Sequence, residues 1–385
     1  MRILHTSDWH LGRSFHNTNM LDAQQHAIDF IVSTITEHDI DLVLLAGDVY
    51  DRALPPVDAV SMFDQALVDM RAAGAQVVVT SGNHDSAIRL GFMSRMMRNA
   101  GVHIRTMPET ITEPIIFDDD AGKVCIWAVP YLEPRTIAQE FGVDANHYSV
   151  VSYVMDQVRD TIAQRGLTDA THIMMAHLFA AGATGSDSEK NIGEGTEVGT
   201  LGQVPADMFE DMDYVALGHL HGRQTMSETV RYCGSPVAYS FSEHAHRKGM
   251  WLIDTGVDGL SVEPVDIPQL KTLAVLKDTI EPLLESEDYA WAEDAWCQIT
   301  VTDPKRPKRA FQRLKQRFPG MLNFILAPTE TAVQTTYSER IANDKTDLDL
   351  VLDFVDHVRN RPASSQEQRW LQDALDHVNT AQDVK

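Results

Sequence analysis

The stretch RILHTSDWHLG, Arg2–Gly12, is an apolar run that stops at a turn carrying an aspartate and a histidine two residues apart, Asp8 and His10. Alone, such a pair reads as an ordinary turn after a strand, with Asp8 capping and His10 facing solvent. The other reading, the weaker one for a lone pair, is that these are the first two ligands of a metal site. What decides is that the pattern recurs. DLVLLAG (41–47) runs into DVYD, giving Asp48 and Asp51. QVVVTSG (76–82) runs into NHD, giving Asn83, His84 and Asp85. HIMMAH (172–177) ends on His177, and YVALGH (214–219) continues to LH, giving His219 and His221. Sixteen histidines make single coincidences inevitable, but not five apolar runs ending in ligand types. His5, His26, His38, His103, His147 and His172 are read as ordinary core or surface residues.

Apolar runs alternating with helical periodicity up to about Val265 predict a layered α/β fold, in which loops at one end of a sheet converge in space. Gly47, Gly82 and Gly218 precede three of the ligand groups, where a glycine permits a sharp exit and close backbone approach. Residues i and i+2 of an extended segment face one way, so D-x-H and H-x-H are expected to project both side chains together. KVCIWAVPY (123–131) and GMWLID (249–254) read as further strands, and VRYCGSP (230–236) as a weaker one. A helix over Asp58–Met70 would place Val60, Phe63, Leu67 and Met70 on one face. Pro264 and Pro268 mark a boundary that closes a core of residues 1–265. Beyond it WCQITVTD and MLNFILAP predict strands around the helix Arg309–Phe318, a small α+β unit within 266–340. The amphipathic stretches Leu348–Val358 and Gln368–Val378 fill 341–385.

Hydrophobic content of 43% and charged content of 23% are those of a folded globular chain. No apolar stretch reaches the ~18–20 residues of a membrane span, and the start turns polar too early for a signal peptide. Cys125, Cys233 and Cys297 form no motif, and read as buried residues of a protein in the reducing cytoplasm. The net charge of −24 opposes contact with phosphate polymers unless basic residues cluster. They do so in DPKRPKRAFQRLKQRF (303–318), with Lys305, Arg306, Lys308, Arg309, Arg313, Lys315 and Arg317. This reads evenly as a phosphate-backbone track or as a solvated helix face. The glycine-rich segment Gly182–Gly202 reads as a loop at the rim of the site, either touching substrate or, the favoured reading, a passive surface excursion.

The ligand types suit two ions. A carboxylate can bridge cations, imidazoles suit borderline metals, and an Asn carbonyl adds an oxygen. Two metals about 3.5–4 Å apart clamp the attacking and leaving oxygens of a phosphoryl displacement and supply hydroxide near neutral pH. Asp48 is the candidate bridge, and His84 the candidate donor of a proton to the leaving oxygen.

The order D-x-H, GDxxD, GNHD, H, GHxH resembles that of the calcineurin-like metallophosphoesterases. HTSDWHLG with Trp9 and Gly12, GDVYDRALPP, GNHDS, DYVALGHLH and RYCGSPVAYSF are similar to the SbcD family of nuclease subunits. The resemblance implies an α/β metallophosphoesterase β-sandwich flanked by helices, with a small α+β capping domain and C-terminal helices. It implies one metal on Asp8, His10, Asp48 and His221, and a second on Asp48, Asn83, His177 and His219. His84 would be the catalytic acid, with Asp51 and Asp85 orienting the ligands behind it. The two divalent metals would be Mn2+, although iron or zinc would suit the ligand types equally. The implied activity is a DNA nuclease of repair and recombination, a 3′–5′ exonuclease on duplex ends and an endonuclease on hairpins and single strands. The implied partner is an SbcC-like ATPase bound through the C-terminal helices, within a heterotetramer containing a homodimer, cytoplasmic and nucleoid-associated. The rival readings are a phosphodiesterase of small nucleotides and a scaffold subunit whose site is incidental.

Overall fold

The computed structural model describes residues 1–192, 203–256, 259–328, 346–359 and 361–382. Two six-stranded sheets form its body. The first has the order Ser261–Asp266, Gly249–Asp254, Arg2–Thr6, Leu42–Ala46, Gln76–Thr80, Val102–Arg105. Its last four strands are parallel, and Gly249–Asp254 pairs antiparallel to Arg2–Thr6. The second has the order Gln224–Thr225, Val230–Tyr232, Tyr214–Gly218, Thr171–His177, Gly122–Ala128, Ile115–Asp119, with its four central strands parallel.

Both faces of each sheet are covered, which is why the strands read as continuous apolar runs rather than alternating ones. Ile3, Leu42, Leu44 and Val78 share one core with Ile126, Ile173, Met175 and Ala216 of the other sheet. Their alternates, Leu4, Val43, Leu45, Val77 and Val79, pack with Ile28, Ile31, Phe63 and Met70 of the helices Leu21–Glu37 and Val57–Ala72. On the outer face of the second sheet, Trp127, Met174 and Leu217 pack with Ile137, Val154 and Val158 of the helices Pro134–Phe141 and His147–Arg165. The helix expected at Asp58–Met70 is present, but Val60 is 43% exposed while Phe63 and Met70 are buried. The apolar face is one residue narrower than its spacing suggested.

Pro264, expected to punctuate a boundary, lies inside the edge strand Ser261–Asp266 opposite Trp251. An edge position does not require the missing N–H. Three parallel strands follow, Leu273–Asp278, Trp296–Val301 and Met321–Leu326, with the helices Ile280–Glu285 and Ala310–Arg317. They enclose a separate core that includes Leu276, Leu283, Ile299, Leu314 and Phe318. Leu273, Trp296 and Leu322 pack against the outer core of the first sheet, and residues 1–303 and 307–327 form one compact unit. The second unit comprises 304–306 and the described residues from 328 onward. Its helices Asp347–Arg359 and Ser365–Gln382 leave Phe354, Val358 and Trp370 exposed. Glu367 at the start of the second helix takes Arg359 and Arg361. All three cysteines are free and buried, and no described helix is long and apolar enough to cross a membrane.

Candidate metal centre

Within each sheet the central strands are parallel, so the five ligand-bearing loops leave from C-terminal strand ends. Backbone bonds tie them together: Asp8 N donates to Gly47 O (3.1 Å) and His10 N to Asp48 O (3.0 Å). Side chains continue the stitching, with His84 N donating to Asp48 Oδ1 (2.9 Å) and His219 N to Asp8 Oδ1 (2.9 Å). The segments are not extended, contrary to the expectation for D-x-H and H-x-H. Asp8 (φ 54°), His10 (φ 45°), Asp48 (φ 47°) and His219 (φ 107°) all have positive φ. Non-glycine residues there are uncommon and concentrate at functional sites. The tight coil, rather than the strand pleat, turns these side chains inward. The glycines make the approach possible. A Cβ on Gly47 would stand 2.2 Å from His177 Nδ1, one on Gly82 2.1 Å from Asp48 Oδ1, and one on Gly218 1.8 Å from Ala46 O.

All seven candidate ligands lie at this junction. Ligand atoms of Asp8, His10 and His221 fall within 4.8 Å of one another, as do those of Asp8, Asp48 and His177 and those of His10, Asp48 and His84. His10 Nε2 is 3.0 Å from His221 Nε2 and 3.6 Å from Asp48 Oδ2. His177 Nε2 is 2.9 Å from Asn83 Oδ1 and 3.3 Å from the same Asp48 Oδ2. Asp48 therefore reaches both groups. The His219 ring lies 5.3 Å from that of His177, edge to face.

The donor set fits cations. His177 Nδ1 lies 3.1 Å from Ala46 O, to which it donates a hydrogen bond. His177 Nε2 is thereby left facing two oxygens of Asn83 and Asp48. Three electron-pair donors converge in this way only around a proton or a metal ion. His10 Nδ1 and His219 Nδ1 are buried without a hydrogen-bond partner, which is costly for imidazoles that bind nothing. Burial disfavours charge on His177, but Asp48 and Asp8 outweigh it and lift its pKa to about 9. Burial raises Asp8 to about 6 against the pull of His177 and His221, and lowers His219 to about 3. Asp48 is held well below the carboxylate range, because His177 and His10 overcome its burial. A neutral His219 beside an ionised Asp48 is what divalent coordination requires.

His84 is half-buried, and its Nδ1 lies 2.8 Å from the backbone carbonyl of Asp51, so that Nδ1 donates and Nε2 is left for other contacts. The Asp51 carboxylate stands 3.7 Å from Arg13 Nε and 4.0 Å from His10 Nδ1. The Asp85 carboxylate accepts from Val49 N (3.1 Å), Tyr50 N (3.0 Å) and Gly82 N (2.9 Å), bracing the loops that carry Asp48 and Asn83. Burial and the nearby Asp48 raise its pKa to about 7 despite those three donors.

Sequence reasoning missed the residues behind His221. Its Nδ1 meets Ser188 Oγ at 2.7 Å, its backbone N donates to Glu189, and its backbone O accepts from Lys248 Nζ at 2.8 Å. Glu243 and Lys248 form a fully buried ion pair. Burial would raise the Glu243 pKa, but Lys248 and His221 hold it well below its ordinary value. Arg13 lies over the Tyr239 ring at 5.1 Å, and Gln24 Nε2 donates to His10 O at 2.8 Å. Nothing in SFSEHAHRKG (240–249) distinguishes a buried Glu–Lys pair from an exposed polar turn. Of the glycine-rich segment, residues 193–202 lie outside the described residues, but Ser186–Glu189 reach the centre directly.

The basic segment divides. Arg313 pairs with Glu281 (3.1 Å), Arg317 with Glu293 (2.8 Å), and Lys315 Nζ donates to Met321 O (2.8 Å). Lys305, Arg306, Lys308 and Arg309 are exposed.

Residues 1–223 match the calcineurin-like phosphoesterase family. The chain is 31% identical over 316 residues to the D subunit of the SbcCD nuclease of Escherichia coli K12, covering 78% of each chain. The same protein of Escherichia coli O157:H7 gives the same figures. Among solved structures, TT1561 of Thermus thermophilus aligns over 68% of this chain and 98% of its own, at 14% identity and a TM-score of 0.39. The chain belongs to the calcineurin-like phosphoesterase family and is an SbcD-like member of it, a hydrolase of phosphodiester bonds.

Proposed function

We propose that this chain is the nuclease subunit of an SbcCD-type complex, cutting DNA exonucleolytically at duplex ends and endonucleolytically at hairpins and single strands. The observation that carries the proposal is the gathering of seven candidate ligand side chains, Asp48 among them, with His84 at their edge, in a chain 31% identical to the D subunit of an SbcCD nuclease. Asp8, His10, Asp48 and His221 would hold one divalent ion, and Asp48, Asn83, His177 and His219 the other, with Mn2+ as the resident metal. Bound there, the ions supply Lewis acidity and a nucleophile at neutral pH. Asp48 keeps the two groups of ligands in register. His84, with Nδ1–H anchored on Asp51 O, would take up a second proton on Nε2 and pass it to the leaving oxygen. Asp51 and Asp85 hold the loops.

The same reading includes a homodimer and an SbcC-like ATPase. Exposed Val57 and Val68 on one helix, with Leu54 just before it and Ile88, Phe92 and Met96 in the segment after the strand Gln76–Thr80, support the homodimer. Arg89 Nη1 donating to Ala53 O (3.2 Å) ties the two segments together. Exposed Phe354, Val358 and Trp370 on the last two helices support docking of the ATPase.

The test compares the purified chain with its His84→Ala and Asp48→Ala variants in Mn2+, on an end-labelled duplex and on bis-p-nitrophenyl phosphate. Degradation of DNA, reduced about 10²–10⁴-fold in His84→Ala and abolished in Asp48→Ala, is the expected result. Cleavage of the small diester alone, unchanged on adding the ATPase, would make the chain a small-molecule phosphodiesterase instead.

A further inference from the structure

We propose that Ser188 is a positioning residue of the metal centre. It fixes His221 as the tautomer that presents a bare Nε2 to the ions, and Glu243 fixes Ser188 in turn. The inference rests on the dinuclear metal reading above.

The hydroxyl of Ser188 has one hydrogen to give. Its Oγ lies 2.6 Å from Glu243 Oε1, 2.7 Å from His221 Nδ1 and 2.6 Å from Ser186 Oγ. An ionised carboxylate only accepts, and the Lys248 ammonium sits on the other oxygen of Glu243, so the hydrogen goes to Glu243. Ser188 then meets its two remaining neighbours with lone pairs. Ser186 must donate, and His221 must carry its proton on Nδ1. Nε2 of His221, 3.0 Å from His10 Nε2, is left as an electron-pair donor. Glu243 Oε1 is 3.7 Å from His221 Nδ1, too far to hold the ring alone, and Ser188 closes that gap. All four groups, His221, Ser188, Glu243 and Lys248, are buried, so water does not compete for these bonds. The backbone of His221 is pinned by Glu189 and Lys248 on either side. Ser188 and Glu189 belong to the segment after His177, so this stretch helps build the ligand set from behind.

The test has two independent readouts. In 15N-histidine-labelled, metal-free protein, long-range 15N–1H correlations report the His221 tautomer, assigned by its loss in His221→Gln. Isothermal titration with Mn2+ reports the affinity for each ion. Expected are an Nδ1–H tautomer in the wild type, an affinity for one ion about 10–100-fold weaker in Ser188→Ala with the other ion unaffected, and recovery in Ser188→Thr. An Nε2–H tautomer in the wild type, or Ser188→Ala titrating like the wild type, would overturn the proposal. Should Ser188→Ala fail to fold, the wild-type tautomer still decides it. A wild type that takes up no Mn2+ sinks the metal-centre reading itself, while the tautomer separately reports whether Ser188 orients His221.

Discussion

Gly82 acts through the side chain it lacks. An added methyl would stand 2.1 Å from Asp48 Oδ1 and 2.3 Å from Asp48 N, and both belong to the residue proposed to bridge the two ions. Gly82→Ala is expected to lower stability by about 1–3 kcal/mol, as overpacking does. It should cut diester hydrolysis by about 10²-fold or more through displacement of Asp48. Urea unfolding and initial rates in Mn2+ check the two effects, and an unaltered rate would show that Asp48 moves without consequence. His5 makes a different kind of prediction. It is fully buried, its Nδ1 is 2.9 Å from Tyr214 Oη, and burial lowers its pKa to about 3 from 6.5. Below pH 6.5 the unfolded chain takes up a proton that the folded chain refuses until about pH 3. This group's contribution to stability is therefore complete above about pH 6.5 and falls by about 1.4 kcal/mol per pH unit below it. His5→Gln should unfold in urea with a shallower dependence on pH between about 6.5 and 4.5. Slopes equal to those of the wild type would mean that His5 already carries its proton when folded.

Elements were legible where burial is two-sided. Runs such as LVLLA and VVV announce central parallel strands, and the polar residues immediately beyond them announce the loops. The edge strand Ser261–Asp266 was not legible, because its side chains are largely exposed and it contains a proline. Nor was Leu273–Asp278, the first strand of the small sheet, whose alternation is diluted by Lys277 and Asp278. The candidate ligands could be found because aspartate, asparagine and histidine after a strand are chemically conspicuous. Ser188, Glu243 and Lys248 could not, since their role follows from burial and distance, and neither is written in residue type. The helix Val57–Ala72 shows the limit of periodicity itself: Phe63 is 4% exposed and Val60 43%, though both fit the same apolar spacing. Phe63→Ala should cost about 3–5 kcal/mol, whereas Val60→Ala should stay within about 0.5 kcal/mol. Chemical denaturation of the two variants tests this, and comparable losses would place Val60 in the core.

At the scale of the whole molecule, the proposed action on DNA requires a chain of net charge −24 to meet a polyanion. Mean repulsion has to be overcome locally, by the metal ions and by cations not already committed to the fold. Arg313 and Arg317 are committed, to Glu281 and Glu293. Lys308 and Arg309 are exposed at the start of the same helix. If they neutralise two phosphates, binding to duplex DNA should weaken with salt along a line whose slope carries about 0.9 for each contact. The double substitution Lys308→Ala, Arg309→Ala should then reduce that slope by about 2. The weakening should be the same on every sequence, because phosphate contacts position DNA without reading it. Arg313→Ala should leave the slope alone, since its guanidinium is spent on a carboxylate. Fluorescence anisotropy of a labelled duplex across about 50–200 mM salt, without divalent metal so that nothing is cut, measures all three proteins. An unchanged slope in the double variant would make Lys308 and Arg309 a solvated helix face. On the reading proposed above, the positive surface that brings DNA to the candidate metal centre would then have to come from the SbcC-like partner.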